Sequence, residues 1–135
     1  MERASATQSA TMAANFTHPA WTMSEDEFRA FWRSPRLVSV ATVNAGGQPH
    51  ASPIEVSLDG EEFVLPSFRA ALRIADLRDN RRVVLTTWDD AWHAAIVYGT
   101  ATVFDNEGDV VRVSVTPQRI YAIRAPKGHH AHRPR

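Results

Sequence analysis

The chain has 135 residues, a length that suits one domain and is too short for two of ordinary size. Fifteen basic and fifteen acidic residues give a formal net charge of zero, so the overall charge does not favour a nucleic-acid or acidic-membrane partner. Without cysteine, the chain has no disulfides, thiolate catalysis or cysteine-ligated metals. Since it also lacks a long apolar run and an apolar secretion signal, we predict a cytoplasmic location.

Both ends of the chain have the composition of tails. Residues 1–20 are rich in Ala, Ser and Thr, and residues 125–135 form a basic segment that contains three closely spaced histidines. These histidines have neither the HExxH spacing nor a carboxylate companion, so we predict no metal site. The expected organisation is a disordered tail over 1–20, one folded domain over 21–124 and a flexible tail over 125–135.

The first predicted element is a short amphipathic helix that begins after Ser24. Ser24 and Glu27 have the spacing of a capping box, in which each side chain binds the backbone of the other residue. Phe28 and Trp32 are four residues apart and therefore share one apolar helix face. Pro35 ends the helix, which we expect to cover one side of a core.

Short β-branched and apolar runs separated by turn residues then predict a β-rich domain. The predicted strands are Leu37–Val43, Gln48–Leu58, Glu62–Pro66, Arg82–Trp88, His93–Phe104 and Val110–Val115, with Ile120–Ile123 as a seventh. We expect Thr116 and Pro117 to break the last two apart. Most connections are too short for parallel crossovers, so the predicted fold is mainly β: an antiparallel, closed or nearly closed barrel of six to seven strands with flanking helices.

A second helix is predicted over Ser67–Asn80, with Ser67 as its N-cap. The free N–H groups of a helix N-terminus suit a phosphate. Arg69 and Arg73 are four residues apart and would share a helix face. From the residues alone, a phosphate site and a solvated face on which Asp76 pairs with Arg73 remain equal alternatives.

Other chemical signals in the sequence are weak. Neither a GxSxG nucleophile motif nor a Walker loop is present, and we predict no catalytic side chain. His50 and His93 lie in predicted strands, where neither has an evident partner as a catalytic base. Trp88 and Trp92 flank a turn, where they could stack on a planar ligand or pack in a core or dimer interface.

Four stretches in order resemble the FMN-binding split barrels related to pyridoxamine 5′-phosphate oxidase, in particular the small flavin and deazaflavin oxidoreductases of actinobacteria. The stretches are LVSVATVNAGGQPHASPIEV, LRIADLRDNRRV, WDDAWHAAIVYGTATV and VSVTPQRIYAI, and together they lie within residues 24–124. The resemblance implies a homodimer with two cofactor sites at the interface.

The resemblance also implies which residues bind the cofactor. Arg73 matches the helix cation that meets the phosphate, and Ser52 to Ile54 match the strand beside the flavin ring. Trp88 and Trp92 would approach from the partner subunit. The full set of implied cofactor contacts is Ser52, Pro53, Ile54, Pro66, Ser67, Arg69, Leu72, Arg73, Trp88 and Trp92.

The sequence departs from the family in several places. Ala71 and Ala75 stand where relatives often carry polar or basic residues. Most relatives have a further helix after the long strand, whereas in this chain only residues 105–109 join the last two long strands. The C-terminal basic substrate motif of true pyridoxamine phosphate oxidases is missing, which argues against vitamin B6 oxidation.

The function that the resemblance implies is hydride transfer between FMN, or alternatively the deazaflavin coenzyme F-420, and a small organic molecule. In such proteins the cofactor supplies the chemistry, and the protein binds, orients and shields it. Two alternatives stay open: a non-catalytic flavin, deazaflavin or haem carrier or sensor on the same fold, and an interaction module with a degenerate pocket.

Overall fold

The computed structural model describes residues 21–126, so the tail predicted over 1–20, and all but the first two residues of the tail predicted over 125–135, lie outside the described residues. Two helices and six strands make up this part of the chain. In order they are α1 (Glu25–Phe31), β1 (Arg36–Val43), β2 (Pro49–Asp59), β3 (Glu62–Phe68), α2 (Leu72–Asp79), β4 (Arg82–Trp88), β5 (Ala94–Phe104) and β6 (Val110–Ile123).

The strands form one closed antiparallel barrel in the order β1-β2-β3-β6-β5-β4. Pairing of β4 with β1, at Ser39 opposite Thr86, closes the ring. The predicted mainly β, antiparallel barrel is therefore confirmed, with six strands. Over residues 21–126, the structure contains no helix with the length and apolarity needed to cross a membrane.

Helix α1 begins as its sequence predicts. The Glu27 backbone N–H donates to Ser24 Oγ at 3.1 Å, and the Ser24 N–H donates to Glu27 Oε1 at 2.9 Å. Phe28 and Trp32 are buried, and both rings contact Phe63 of β3 edge to face. The helix thus covers the core of the barrel.

The predicted break at Pro117 is wrong, because β6 continues as one strand of 14 residues from Val110 to Ile123. Pro117 lies opposite Gly99, where the register of β5 and β6 shifts by a bulge. A bulge leaves a residue outside the regular ladder, so the missing N–H of proline is tolerated there. A Cβ atom at Gly99 would lie 2.6 Å from the Thr116 carbonyl oxygen, which explains why glycine stands at this crossing.

The predicted start of the second helix is also wrong. Ser67 is a buried residue of β3, and α2 begins only at Leu72, with Ala71 at the N-cap and no side chain capping it. Pairing of β3 with β6 extends to Phe68 opposite Val110. These long-range hydrogen bonds hold Ser67 in a strand and outweigh its local preference for a helix cap.

The barrel opens between β2 and β3. These strands pair only over three positions, from Ser57 opposite Val64 to Asp59 opposite Glu62. Beyond that point β2 pairs with β1 alone, and β3 continues along β6. We call this divergence the β2–β3 opening; α2 packs against β1, β2 and β5 beside it.

Candidate functional site

Arg73 of α2 spans the β2–β3 opening. Its Nη1 donates to Ser67 Oγ of β3 at 3.1 Å, and its Nη2 donates to Ser52 Oγ of β2 at 2.7 Å. The structure thus brings Ser52, Ser67 and Arg73 together, with Ser67 in a strand, whereas their contact with a cofactor stays a prediction. One guanidinium links two strands that share no backbone pairing at these positions.

The charge of Arg73 has no carboxylate beside it among the described residues. The residue is only 8% exposed, and its Nε is buried without a hydrogen-bond acceptor. Burial lowers the pKa of the guanidinium below its ordinary value, yet arginine stays charged in proteins. A buried cation held by hydroxyls alone, with a spare donor, is suited to an anionic ligand such as a phosphate.

The alternative pairing of Asp76 with Arg73 is not present. Asp76 is buried and accepts a hydrogen bond of 2.7 Å from Thr42 Oγ1, and its Oδ2 lies 3.5 Å from His50 Nδ1. The solvated helix face is therefore a wrong description of this side of α2, because Arg73 and Asp76 both point to the barrel.

Arg69 does not share a helix face with Arg73, because it precedes α2. Its guanidinium bonds to Asp105 Oδ1 at 2.9 Å and to the carbonyl oxygens of Asn106 and Gly108 in the β5–β6 connection. Arg78 of α2 binds the same carboxylate. Arg69 thus stabilises the short 105–109 connection. Its contact with a cofactor phosphate stays a prediction.

The side chains of Ser52 to Ile54, the part of β2 predicted to lie beside the flavin ring, alternate in direction along the strand. Ser52 and Ile54 are half-buried, and Ile54 packs against the core, whereas Pro53 between them is exposed. The edge of β2 that carries these residues has no strand partner on the side of the β2–β3 opening. A strand edge of this kind offers backbone groups to a ligand.

The other residues predicted to contact the cofactor are exposed on the surface. Pro66 is exposed and lines a cleft of about 360 Å³ with Ser57 and Val64 at the mouth of the opening. Leu72 is exposed at the start of α2. Trp88 and Trp92 flank the β4–β5 turn and are exposed; within one chain the structure does not bring them to Arg73.

Trp92 has a φ of 65°, a left-handed conformation that is uncommon for a residue other than glycine. Asp89 stabilises this turn by accepting hydrogen bonds from the backbone N–H groups of Ala91 and His93. Burial alone would raise the pKa of Asp89, but these donors and the His93 imidazole outweigh it, so that the pKa is lowered. In this turn the indole of Trp92 is exposed to solvent.

The proximity of His50, Asp76 and Thr42 was not predicted from the sequence. Thr42 stands opposite His50 in the β1–β2 register, and Asp76 approaches both from α2. The only sequence signal for this cluster was the position of His50 two residues before Ser52 on the same strand face.

Solved structures with the same fold come from proteins of differing description. A conserved hypothetical protein of Mycobacterium tuberculosis is 19% identical with a TM-score of 0.75, and the match covers 85% of this chain and 93% of that one. The haem storage protein HutZ of Vibrio cholerae is 16% identical with a TM-score of 0.67, covering 78% and 98%. A protein described as F420 reductase is 15% identical with a TM-score of 0.61, covering 68% and 94%.

Comparison with curated proteins gave no match. The family model described as pyridoxamine 5′-phosphate oxidase matches residues 24–133 and thus most of the chain. It includes all six strands, both helices and every residue of the Arg73 site. The chain therefore belongs to the pyridoxamine 5′-phosphate oxidase family.

Proposed function

We propose that this protein binds a phosphate-bearing flavin-type cofactor, FMN or coenzyme F-420, and transfers hydride between its ring and a small organic molecule. The observation that carries the proposal is Arg73, a buried cation whose partners are the hydroxyls of Ser52 and Ser67. A phosphate would supply the missing negative charge and further acceptor oxygens. Membership of the family and the fold shared with an F420 reductase support a flavin-type ring.

Different residues of the site fit the two parts of such a ligand, the phosphate and the ring. Arg73 and the two serines would hold the phosphate, and the unpaired β2 edge at Ser52 to Ile54 would receive the polar rim of the ring. The bound ring supplies the hydride chemistry, whereas the protein fixes its position and limits its contact with water. No side-chain acid or base is required for this role.

The direct test is a binding screen of the purified protein with FMN and with F-420, followed by the variant Arg73→Ala. We expect the variant to lose about 1–3 kcal/mol of binding free energy, the range for hydrogen bonds to a charged group. Arg78→Ala is the matched control, because Arg78 lies on the same helix but is paired with Asp105 on the surface. Equal affinity in the wild type and in Arg73→Ala would contradict the proposed phosphate site.

A non-catalytic carrier or sensor is the second candidate, and the fold shared with the haem storage protein HutZ favours it. Reaction of the reduced protein–cofactor complex with candidate acceptors separates the two functions. An enzyme oxidises the reduced cofactor faster than the free cofactor reacts, whereas a carrier does not. Binding of haem but of neither flavin nor deazaflavin would favour the carrier.

We also propose that the protein acts as a homodimer. Large apolar side chains are exposed on the outer face of β4, β5 and β6, which we call the β4–β6 face and define by Trp88, Tyr98, Tyr121 and Ile123. Exposed apolar patches of this kind favour association. Trp88 and Trp92 of one subunit would then reach the cofactor of the other.

A further inference from the structure

Beside the Arg73 site lies a second polar cluster that the proposed phosphate contact does not use. Asp76 is 6% exposed, and its Oδ2 receives the hydroxyl hydrogen of Thr42, which is itself buried. The same oxygen lies 3.5 Å from Nδ1 of His50, a buried atom without a hydrogen bond in the described chain. Carboxylate, hydroxyl and imidazole thus meet beneath α2.

Asp76 needs positive charge nearby, because an isolated buried carboxylate is strongly disfavoured. Arg73 lies one turn earlier on α2, but its guanidinium is directed to Ser52 and Ser67. Among the residues from 21 to 126, His50 is the one group within ion-pair distance of Asp76. His50 is therefore the group placed to pair with this buried carboxylate.

His50 lies on the same face of β2 as Ser52 of the Arg73 site. His50 and Ser52 stand two residues apart on β2, about 6–7 Å along the strand, and therefore share one face. Both touch α2: Ser52 accepts from Arg73, and His50 faces Asp76. The His50 side chain remains 32% exposed, so with Nδ1 facing Asp76 its Nε2 can face a ligand.

We propose that His50 is a ligand-binding residue of the Arg73 site, positioned by Asp76 and Thr42, and that its imidazole, paired with Asp76 through Nδ1, binds the anionic part of the ligand through Nε2. This inference rests on the proposed function and extends it. The charged group that faces His50 is Asp76 of α2, whereas Thr42 of β1 is neutral. Removal of the imidazole should therefore weaken binding of the anion.

The experiment measures binding of FMN or F-420, whichever binds in the screen, to the wild type and to His50→Gln at one neutral pH. The quantity compared is the ratio of the two affinities. We expect the wild type to bind about tenfold more tightly, the effect of one hydrogen bond to a charged group.

Two controls separate ligand contact from structural damage. The phosphate-free form of the same cofactor, riboflavin in the case of FMN, should bind equally to the wild type and to His50→Gln. Asp76→Asn keeps an acceptor for Thr42 but removes the carboxylate that positions the imidazole, so its affinity for the complete cofactor should fall toward that of His50→Gln. Circular dichroism and thermal unfolding show whether each variant is folded.

The outcomes distinguish this inference from the function on which it rests. Binding that depends on Arg73, with affinities of the wild type and His50→Gln that are nearly equal, overturns the role of His50 alone. An equal loss of affinity for the phosphate-free cofactor also overturns it, since His50 then acts on the fold or the ring. If neither cofactor binds to the wild-type protein, the proposed function fails and this inference fails with it.

Discussion

At the residue scale, the buried charge of Arg73 is expected to lower the stability of the fold. Moving a charged group out of water is costly, and two neutral hydroxyls compensate that cost less well than a carboxylate would. We therefore expect Arg73→Met, which keeps length and packing volume, to leave the free energy of unfolding within about 1 kcal/mol of the wild type or to raise it. Urea denaturation followed by tryptophan fluorescence measures this difference.

The same variant should abolish the phosphate-dependent part of cofactor binding. Functional groups are commonly retained at a cost in stability, and removing them tends to stabilise a fold. A loss of more than about 2 kcal/mol in Arg73→Met would instead mean that the guanidinium mainly joins β2 to β3. Ser52→Ala tests the serine link separately, because Ser52 is half-buried and its hydroxyl accepts from Arg73.

At the element scale, α1 links folding to pH through its cap. The hydrogen bond from the Ser24 backbone N–H lowers the pKa of Glu27; partial burial opposes this shift, and Arg124 reinforces it. A folded pKa below the unfolded value of about 4.3 stabilises the protein at higher pH. That contribution is fully present above the unfolded pKa and is lost as pH falls through the folded pKa.

We therefore expect the difference in unfolding free energy between the wild type and Glu27→Gln to be constant from neutral pH down to about pH 5 and to shrink below it. Urea denaturation at a series of pH values gives this difference directly. Glu107→Gln, in the exposed β5–β6 connection, serves as the control for an exposed carboxylate. A difference that does not change with pH would mean that the Glu27 charge has no role in the cap.

Local sequence patterns predicted those parts of the fold in which the interacting residues are close together in the sequence. The capping box of α1 depends on residues three apart, and the antiparallel pairing of most neighbouring strands follows from their short connections, so both could be predicted. Pro117 remains in a strand because Gly99, far away in sequence, allows a bulge opposite it. No local rule contains that information.

The candidate site, too, could be predicted only in part, because some of its contacts join residues that are far apart in the sequence. Resemblance to the family pointed to Arg73, and the structure places it against Ser52 and Ser67. The links from Arg69 to the 105–109 connection and from His50 to Asp76 could not be predicted, because barrel register and the placement of α2 bring these residues together.

At the scale of the whole molecule, the β4–β6 face predicts association. The rings of Tyr98 and Tyr121 meet there edge to face, 6.0 Å apart, and both residues are more than two-fifths exposed. We expect the wild type to sediment as a dimer at micromolar concentration and Tyr121→Asp to sediment as a monomer, because a carboxylate in an apolar interface would be desolvated.

Val110→Asp is the matched control, since Val110 is a similarly exposed apolar residue of β6 at the opposite end of that strand. It should leave the dimer intact. A wild-type protein that sediments as a monomer over the whole concentration range would contradict the proposed homodimer. Equal dissociation by both substitutions would place the interface elsewhere on β6.

The contacts of Arg73 across the β2–β3 opening have one more consequence. The hydroxyl oxygens of Ser52 and Ser67 already occupy two of the donors that a phosphate would use. An incoming anion would therefore have to compete with acceptors that belong to the protein itself, and these oxygens would regain the donors when the anion leaves. The two serines would act as an internal competitor that partly satisfies the cation between ligands and weakens the net binding of the anion.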